Sequence, residues 1–224
     1  TTDFRCSFDR IDGAGKSIVK LWNVARFVSI FPRPKKDEKA KLLPLDNLIR
    51  HELNDAVREA AEGYEKYDFH NPAAKIKRFL WETFASHYME LVKNRAYNND
   101  NKFSEEEKNA AVATLYYCLE RLLLALAPVV PMISYELYRQ LYGKDIHFQP
   151  FPHAEDYELP GFTGAELEEL NRAIWKQHTE RGISLKSEVK EAVLPEKFKP
   201  IEKDLKSAHN IVKVAYGKEL KLEF

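Results

Sequence analysis

The chain has 224 residues, 35 basic and 35 acidic side chains, and a formal net charge of zero. This length suits one main domain with a smaller companion, and the composition is that of an ordinary soluble globular protein. A balanced total charge points to no partner by itself, and two distant cysteines exclude a disulfide framework.

The charge is unevenly placed. Lys16, Lys20, Arg26, Arg33, Lys35, Lys36, Lys39 and Lys41 face only Asp37 and Glu38 in the same stretch. Such a patch attracts phosphate, or it is simply a solvated connector. Cys118 falls in an apolar helical run and reads as a buried thiol, which suits a reducing compartment. No signal peptide is evident. The longest apolar run, residues 122–133, contains two prolines and is too short to span a bilayer. A first residue of Thr rather than Met reads as a cut from a larger chain.

Five segments show helical periodicity. Residues 15–31 place Ile18, Leu21, Trp22, Ala25 and Val28 on one side, and Pro32 and Pro34 end the helix. Residues 44–67 carry the stripe Leu45, Leu48, Ile49, Leu53, Ala56, Val57 and Ala60. Residues 71–97 open on Asn71-Pro72, with Ile76, Phe79, Leu80, Phe84, Tyr88, Leu91 and Val92 inward. A capping box, Ser104 with Glu107, opens the fourth, whose core face runs from Val112 to Leu126; Pro128 ends it. Pro131 starts a shorter helix closed by Gly143.

Long helices with short connections predict an antiparallel bundle. Beyond it, residues 147–152 read as extended. Thr163 and Glu166 form a second capping box, and that helix ends at Gly182. Then come a strand over 187–194, a helix over 196–210 and a hairpin over 211–224 turning at Gly217-Lys218. The fold class is therefore mainly α: an antiparallel helix bundle over 16–160, preceded by a linker over 1–15 and followed by a small α/β subdomain over 161–224.

Several motifs imitate catalytic ones. Asp12-Gly13-Ala14-Gly15-Lys16-Ser17 resembles a phosphate loop, but the required first glycine falls at Arg10 and no strand precedes it, so the glycines read as a turn. His51-Glu52 begins a zinc-site pattern that Asp55 breaks. The histidines and cysteines show no metal-ligand spacing. His87 reads as a core or rim residue rather than an RNA contact. Glu168, Glu169 and the run 105–107 sit near helix starts, where they complement the helix dipole. No nucleophile with a base emerges. The residues describe a binder, with no catalytic residue and no metal.

The segment KLWNVARF over 20–27 resembles the start of the anticodon-binding helical domain of class I aminoacyl-tRNA synthetases. Leu21-Trp22-Asn23 followed by Arg26-Phe27 is closer to the valyl-tRNA synthetase branch than to the isoleucine or leucine branches. Four further segments agree in order: FLWETFASHYMELVK (79–93), LLLALAPVVPMISYELYRQLYG (122–143), DIHFQPFP (145–152) and RGISLKSEV (181–189). Tyr138 and Phe151 stand where the family often has Trp. No C-terminal heptad run follows, which makes the resemblance archaeal-like. The family's HIGH and KMSKS signatures and its editing domain do not appear; residues 203–207 match KMSKS at three of five places by coincidence.

The resemblance implies the anticodon-binding part of a cytoplasmic enzyme: the tRNA for valine is the partner, and the catalytic and editing domains of the parent supply the chemistry. The fragment is expected to act as a monomer, to hold no cofactor of its own, and to leave ATP to its parent. The motif's helix supplies the RNA-binding candidates. Phe27 stacks a base or packs in the core, Asn23 and Arg26 meet base edges, and Lys16 and Lys20 meet phosphate. Arg78 and Lys93 on the third helix complete the set, while Trp22 is expected in the core. The alternatives are the same domain of an isoleucine or leucine enzyme, or a helical protein-interaction module without an RNA role.

Overall fold

The computed structural model describes residues 7–35 and 40–224. Cys6, Lys36, Asp37, Glu38 and Lys39 lie outside the described residues. Helix α1 (Phe8–Val28) opens on Ser7, whose side chain accepts from the Arg10 amide. Gly13 and Gly15 therefore lie inside a helix, not in a turn. A serine cap and Asp9 in the first turn offset the low helix propensity of the two glycines.

Helix α2 (Pro44–Glu65) buries the expected stripe. The next helical rod has three parts: α3 (His70–Arg78), a π-helical stretch (Phe79–Tyr88) and α4 (Met89–Tyr97). Its start is fixed by Asp68, which accepts from the His70 and Asn71 amides, so Asp68 does the work expected of Asn71. The wider π turn lines up Phe79, Phe84 and Tyr88, whose rings stack at 6.0 and 5.8 Å. Asn98 ends the rod in the left-handed region, and its side chain bonds both backbone groups of Phe103.

Helix α5 (Glu105–Leu126) carries the predicted capping box, Ser104 with Glu107. By length and composition α5 is apolar enough to cross a membrane, but its apolar side chains are buried among α1, α2, α4 and α6. Cys118 lies there, and burial pushes its thiol up to about 12. Helix α6 (Pro131–Tyr142) follows and closes at Gly143, at φ 67°. The segment expected to be extended is instead a 3-10 turn (Ile146–Phe148) followed by irregular chain. It has no partner strand to extend against among the described residues.

Helix α7 (Gly164–Glu180) has its predicted box, Thr163 with Glu166. Strand β1 (Val189–Pro195) leads through a 3-10 turn (Glu196–Ile201) and α8 (Glu202–Ala208) to β2 (Ile211–Gly217) and β3 (Lys221–Glu223). The sheet order is β2-β1-β3, with β1 parallel to β2 and antiparallel to β3. The expected hairpin is thus absent. The α8 crossover makes β2 parallel to β1, and the returning chain crosses to the free edge of β1 instead of pairing with β2.

The subdomain is tied to the bundle by buried polar groups. Arg95 on α4 donates both terminal nitrogens to Asp46 on α2, at 2.8 Å each, and also reaches the Glu107 carbonyl. Its Nε lies 2.9 Å from Asp204 on α8, an ion contact without hydrogen-bond alignment. Tyr88 donates to Asp46 as well. Burial opposes the Arg95 charge, but the two carboxylates outweigh it and keep the guanidinium protonated. Residues 203–207, which mimic KMSKS, are thus part of this structural joint. A second joint runs from His209 to Asn171 (2.9 Å) and on to His87 (3.3 Å), whose ring stacks on Trp175. His87 is buried, as read from the sequence.

Candidate nucleic-acid interface

Helix α1 is anchored by Leu21, Val24, Ala25 and Val28, all buried. At about 100° per residue, these four define one arc and leave two flanks at its rims. Lys20 and Phe27 lie on the flank toward the π stretch and α4. The Lys20 ammonium sits 5.1 Å from the Trp81 ring centre. Phe27 is half-buried and packs edge-on against Phe31 (5.4 Å) and Tyr97 (6.0 Å).

Trp22 and Arg26 lie on the opposite flank, toward α6. Trp22 is 42% exposed and Ile18 is 41% exposed, so both leave the core where the sequence placed them. The wheel puts them at the edge of the stripe, and the neighbouring helices among the described residues leave that edge partly open. With Ala25, Ser29, Leu137, Gln140 and Leu141, Trp22 and Arg26 line a cleft of about 400 Å³. Arg26 is exposed and has no ion-pair partner among the described residues. Lys16 and Asn23 are also exposed, between the two flanks.

Arg78 and Lys93 are each paired with an acid on their own rod. Arg78 pairs with Glu82 at 3.2 Å, and Lys93 pairs with Glu90 at 2.5 Å. The structure therefore brings together the α1 candidates and leaves these two engaged elsewhere. Periodicity missed Trp81, which falls outside the apolar stripe of its rod and is drawn to α1 by Lys20. Nothing in a linear reading signals that pairing.

The catalytic look-alikes dissolve into structure. His51 lies 3.3 Å from Asp55 and contacts the Tyr157 carbonyl. Glu168 accepts from Thr83 and Arg172. No group of three metal-ligating side chains occurs among the described residues.

A basic and aromatic helix face on a helix bundle offers the group types that unpaired RNA bases and phosphates take. Residues 46–194 match the anticodon-binding domain of tRNA ligase, and the chain belongs to that family. It is similar to the valine–tRNA ligase of Pyrobaculum aerophilum, with 35% identity over 97% of this chain and 27% of the relative. It is also 34% identical to that of Aeropyrum pernix, over 92% of this chain and 26% of the relative. The Rickettsia felis valine–tRNA ligase is 33% identical over 79% of this chain and 22% of the relative. The resemblance seen in residues 20–27 to the valine branch agrees with these relatives. The chain spans about a quarter of the length of the curated relatives it matches.

Proposed function

We propose that this chain binds the anticodon arm of a valine-accepting tRNA. It would hold that tRNA for the parts of a valine–tRNA ligase that use ATP and valine. The observation that carries this reading is the outward face of α1, in a chain of the anticodon-binding family. Unpaired bases offer flat faces for stacking and edges for hydrogen bonding, while the backbone needs cations. Lys16 and Lys20 would meet phosphate, and Asn23 and Arg26 would meet base edges. Phe27 offers a base the rim of a ring already held by Phe31 and Tyr97, and Trp22 offers the more open aromatic surface. Arg78 and Lys93 would act only as outlying charges.

The test is fluorescence anisotropy with valine tRNA at several salt concentrations, for wild type and Arg26→Ala. Isoleucine and leucine tRNAs serve as competitors. Binding that weakens with salt, prefers the valine tRNA and drops in Arg26→Ala supports the reading. A folded Arg26→Ala variant that binds like wild type removes Arg26 from the site. A flat salt response removes the phosphate contacts.

A further inference from the structure

Past the end of α1 the chain runs through Pro32-Arg33-Pro34 over a second cleft, between α2, α5 and α6. Its volume is about 620 Å³, and Arg33, Arg50, Tyr116, Tyr117 and Tyr142 form most of its wall. We propose that this cleft is a second RNA seat, in which Arg33 and Arg50 clamp a backbone phosphodiester of the strand bound at α1. The inference rests on the anticodon-binding reading above.

Six arginines of the structure are spent on carboxylates: Arg58, Arg78, Arg95, Arg121, Arg139 and Arg172. Arg33 and Arg50 are not, among the described residues. Arg50 uses Nε on Thr114 Oγ1 at 3.0 Å, and its guanidinium carbon sits 4.2 Å from the Tyr117 ring centre. This fixes the plane of the group and leaves its two terminal nitrogens without a partner among the described residues. Arg33 is exposed, and its guanidinium lies 4.5 Å from the Tyr142 ring centre. Flanking prolines restrict the backbone that carries it. Two guanidinium forks held over aromatic rings suit phosphate oxygens better than flexible ammonium groups do.

The walls carry a single acid against two guanidinium groups, among the described residues. Burial raises the Tyr117 and Tyr142 phenols, so both stay neutral. Glu120 is the one acid on the lining, and it accepts from the Tyr138 hydroxyl. The chain runs from the end of α1 to the cleft in five residues. Tyr116 donates to the Phe31 carbonyl, which seats residues 29–34 directly between the two. Beyond Arg33 and Pro34 an adjoining cleft of about 450 Å³ is bordered by Lys35 and Lys41, with Glu106 on its α5 wall.

The experiment compares tRNA binding by the full chain with Arg33→Ala, Arg33→Lys and Arg50→Lys across a salt series, using valine tRNA and an anticodon-substituted copy. Arg33→Ala should weaken both RNAs equally, roughly three- to tenfold, and lower the salt slope by about one, since phosphate contacts carry no sequence information. Arg33→Lys should restore the slope but not the full affinity. Arg33 lies outside the helices, so circular dichroism melts should not move, and its result stands even if Arg50→Lys fails to fold. Unchanged affinity and slope in Arg33→Ala, with a wild type that binds tRNA, overturns the inference. Competition by inorganic phosphate or uridine monophosphate at constant ionic strength would instead make this a small-anion site. Arg33-dependent capture of polyglutamate, with tRNA binding untouched, would reassign it to an acidic protein. A wild type that fails to bind tRNA sinks the anticodon reading itself, before any variant is compared.

Discussion

Arg95 and Asp46 meet through two parallel hydrogen bonds of 2.8 Å, and both side chains are wholly buried. This pair links α4 to α2, and Asp204 joins it from α8. Removing one partner strands a charge in the interior. Arg95→Ala should therefore destabilise the fold by about 3–5 kcal/mol in urea melts. Arg95→Met with Asp46→Leu and Asp204→Leu, which leaves no buried charge behind, should recover much of that loss.

Asp204 and His209 give opposite responses to acid. Burial, reinforced by Asp46 and opposed by Arg95, raises the Asp204 carboxyl to about 6. Its stabilising contribution is complete below its unfolded pKa and is lost as pH rises through about 6. Burial, with a smaller push from His178, lowers His209 to about 4. Its contribution is complete above its unfolded pKa and is lost as pH falls through about 4. In wild type the two partly cancel between about pH 4 and 6. Asp204→Asn should make the melting temperature fall more steeply on acidification, and His209→Gln should flatten or reverse that fall.

Helix α1 separates folding from binding. Phe27→Ala should lower stability by about 2 kcal/mol, because the ring completes a triad with Phe31 and Tyr97. Arg26→Ala should stay within about 0.5 kcal/mol of wild type and lose tRNA affinity. Thermal melts run beside the binding assay distinguish the two.

The glycines of α1 offer a direct check on the phosphate-loop mimic. A Cβ at Gly13 or Gly15 meets nothing within 4 Å. Each Gly→Ala change should stabilise the helix by about 0.5–1 kcal/mol, and neither should alter any affinity for ATP. At Gly63 the same change drives a Cβ to 2.4 Å from Pro72 Cγ, so Gly63→Ala should destabilise.

Local signals explain what the sequence disclosed. Ser104 with Glu107, Thr163 with Glu166 and Gly143 each act within a few residues, so their places could be read directly. The π turn could not, because the same aromatic residues fit an α stripe until neighbours choose the wider turn. Trp22 was misplaced for a related reason: a residue at the margin of a stripe is buried only if a partner helix arrives there. The sheet order and the Arg95 joint depend on contacts between distant segments, which no periodicity encodes. Of the candidate interface, the α1 face was legible as a helix side, but its division into two flanks and the Arg33–Arg50 cleft required the packing of α5 and α6.

The placement of Asp204 also orders events during synthesis. Arg95 and Asp46 leave the ribosome long before α8, so the growing bundle first closes around an arginine with one carboxylate. The second arrives only with α8. Until then the α4 surface that α8 will cover stays open, giving chaperones a defined interval and a defined place to act.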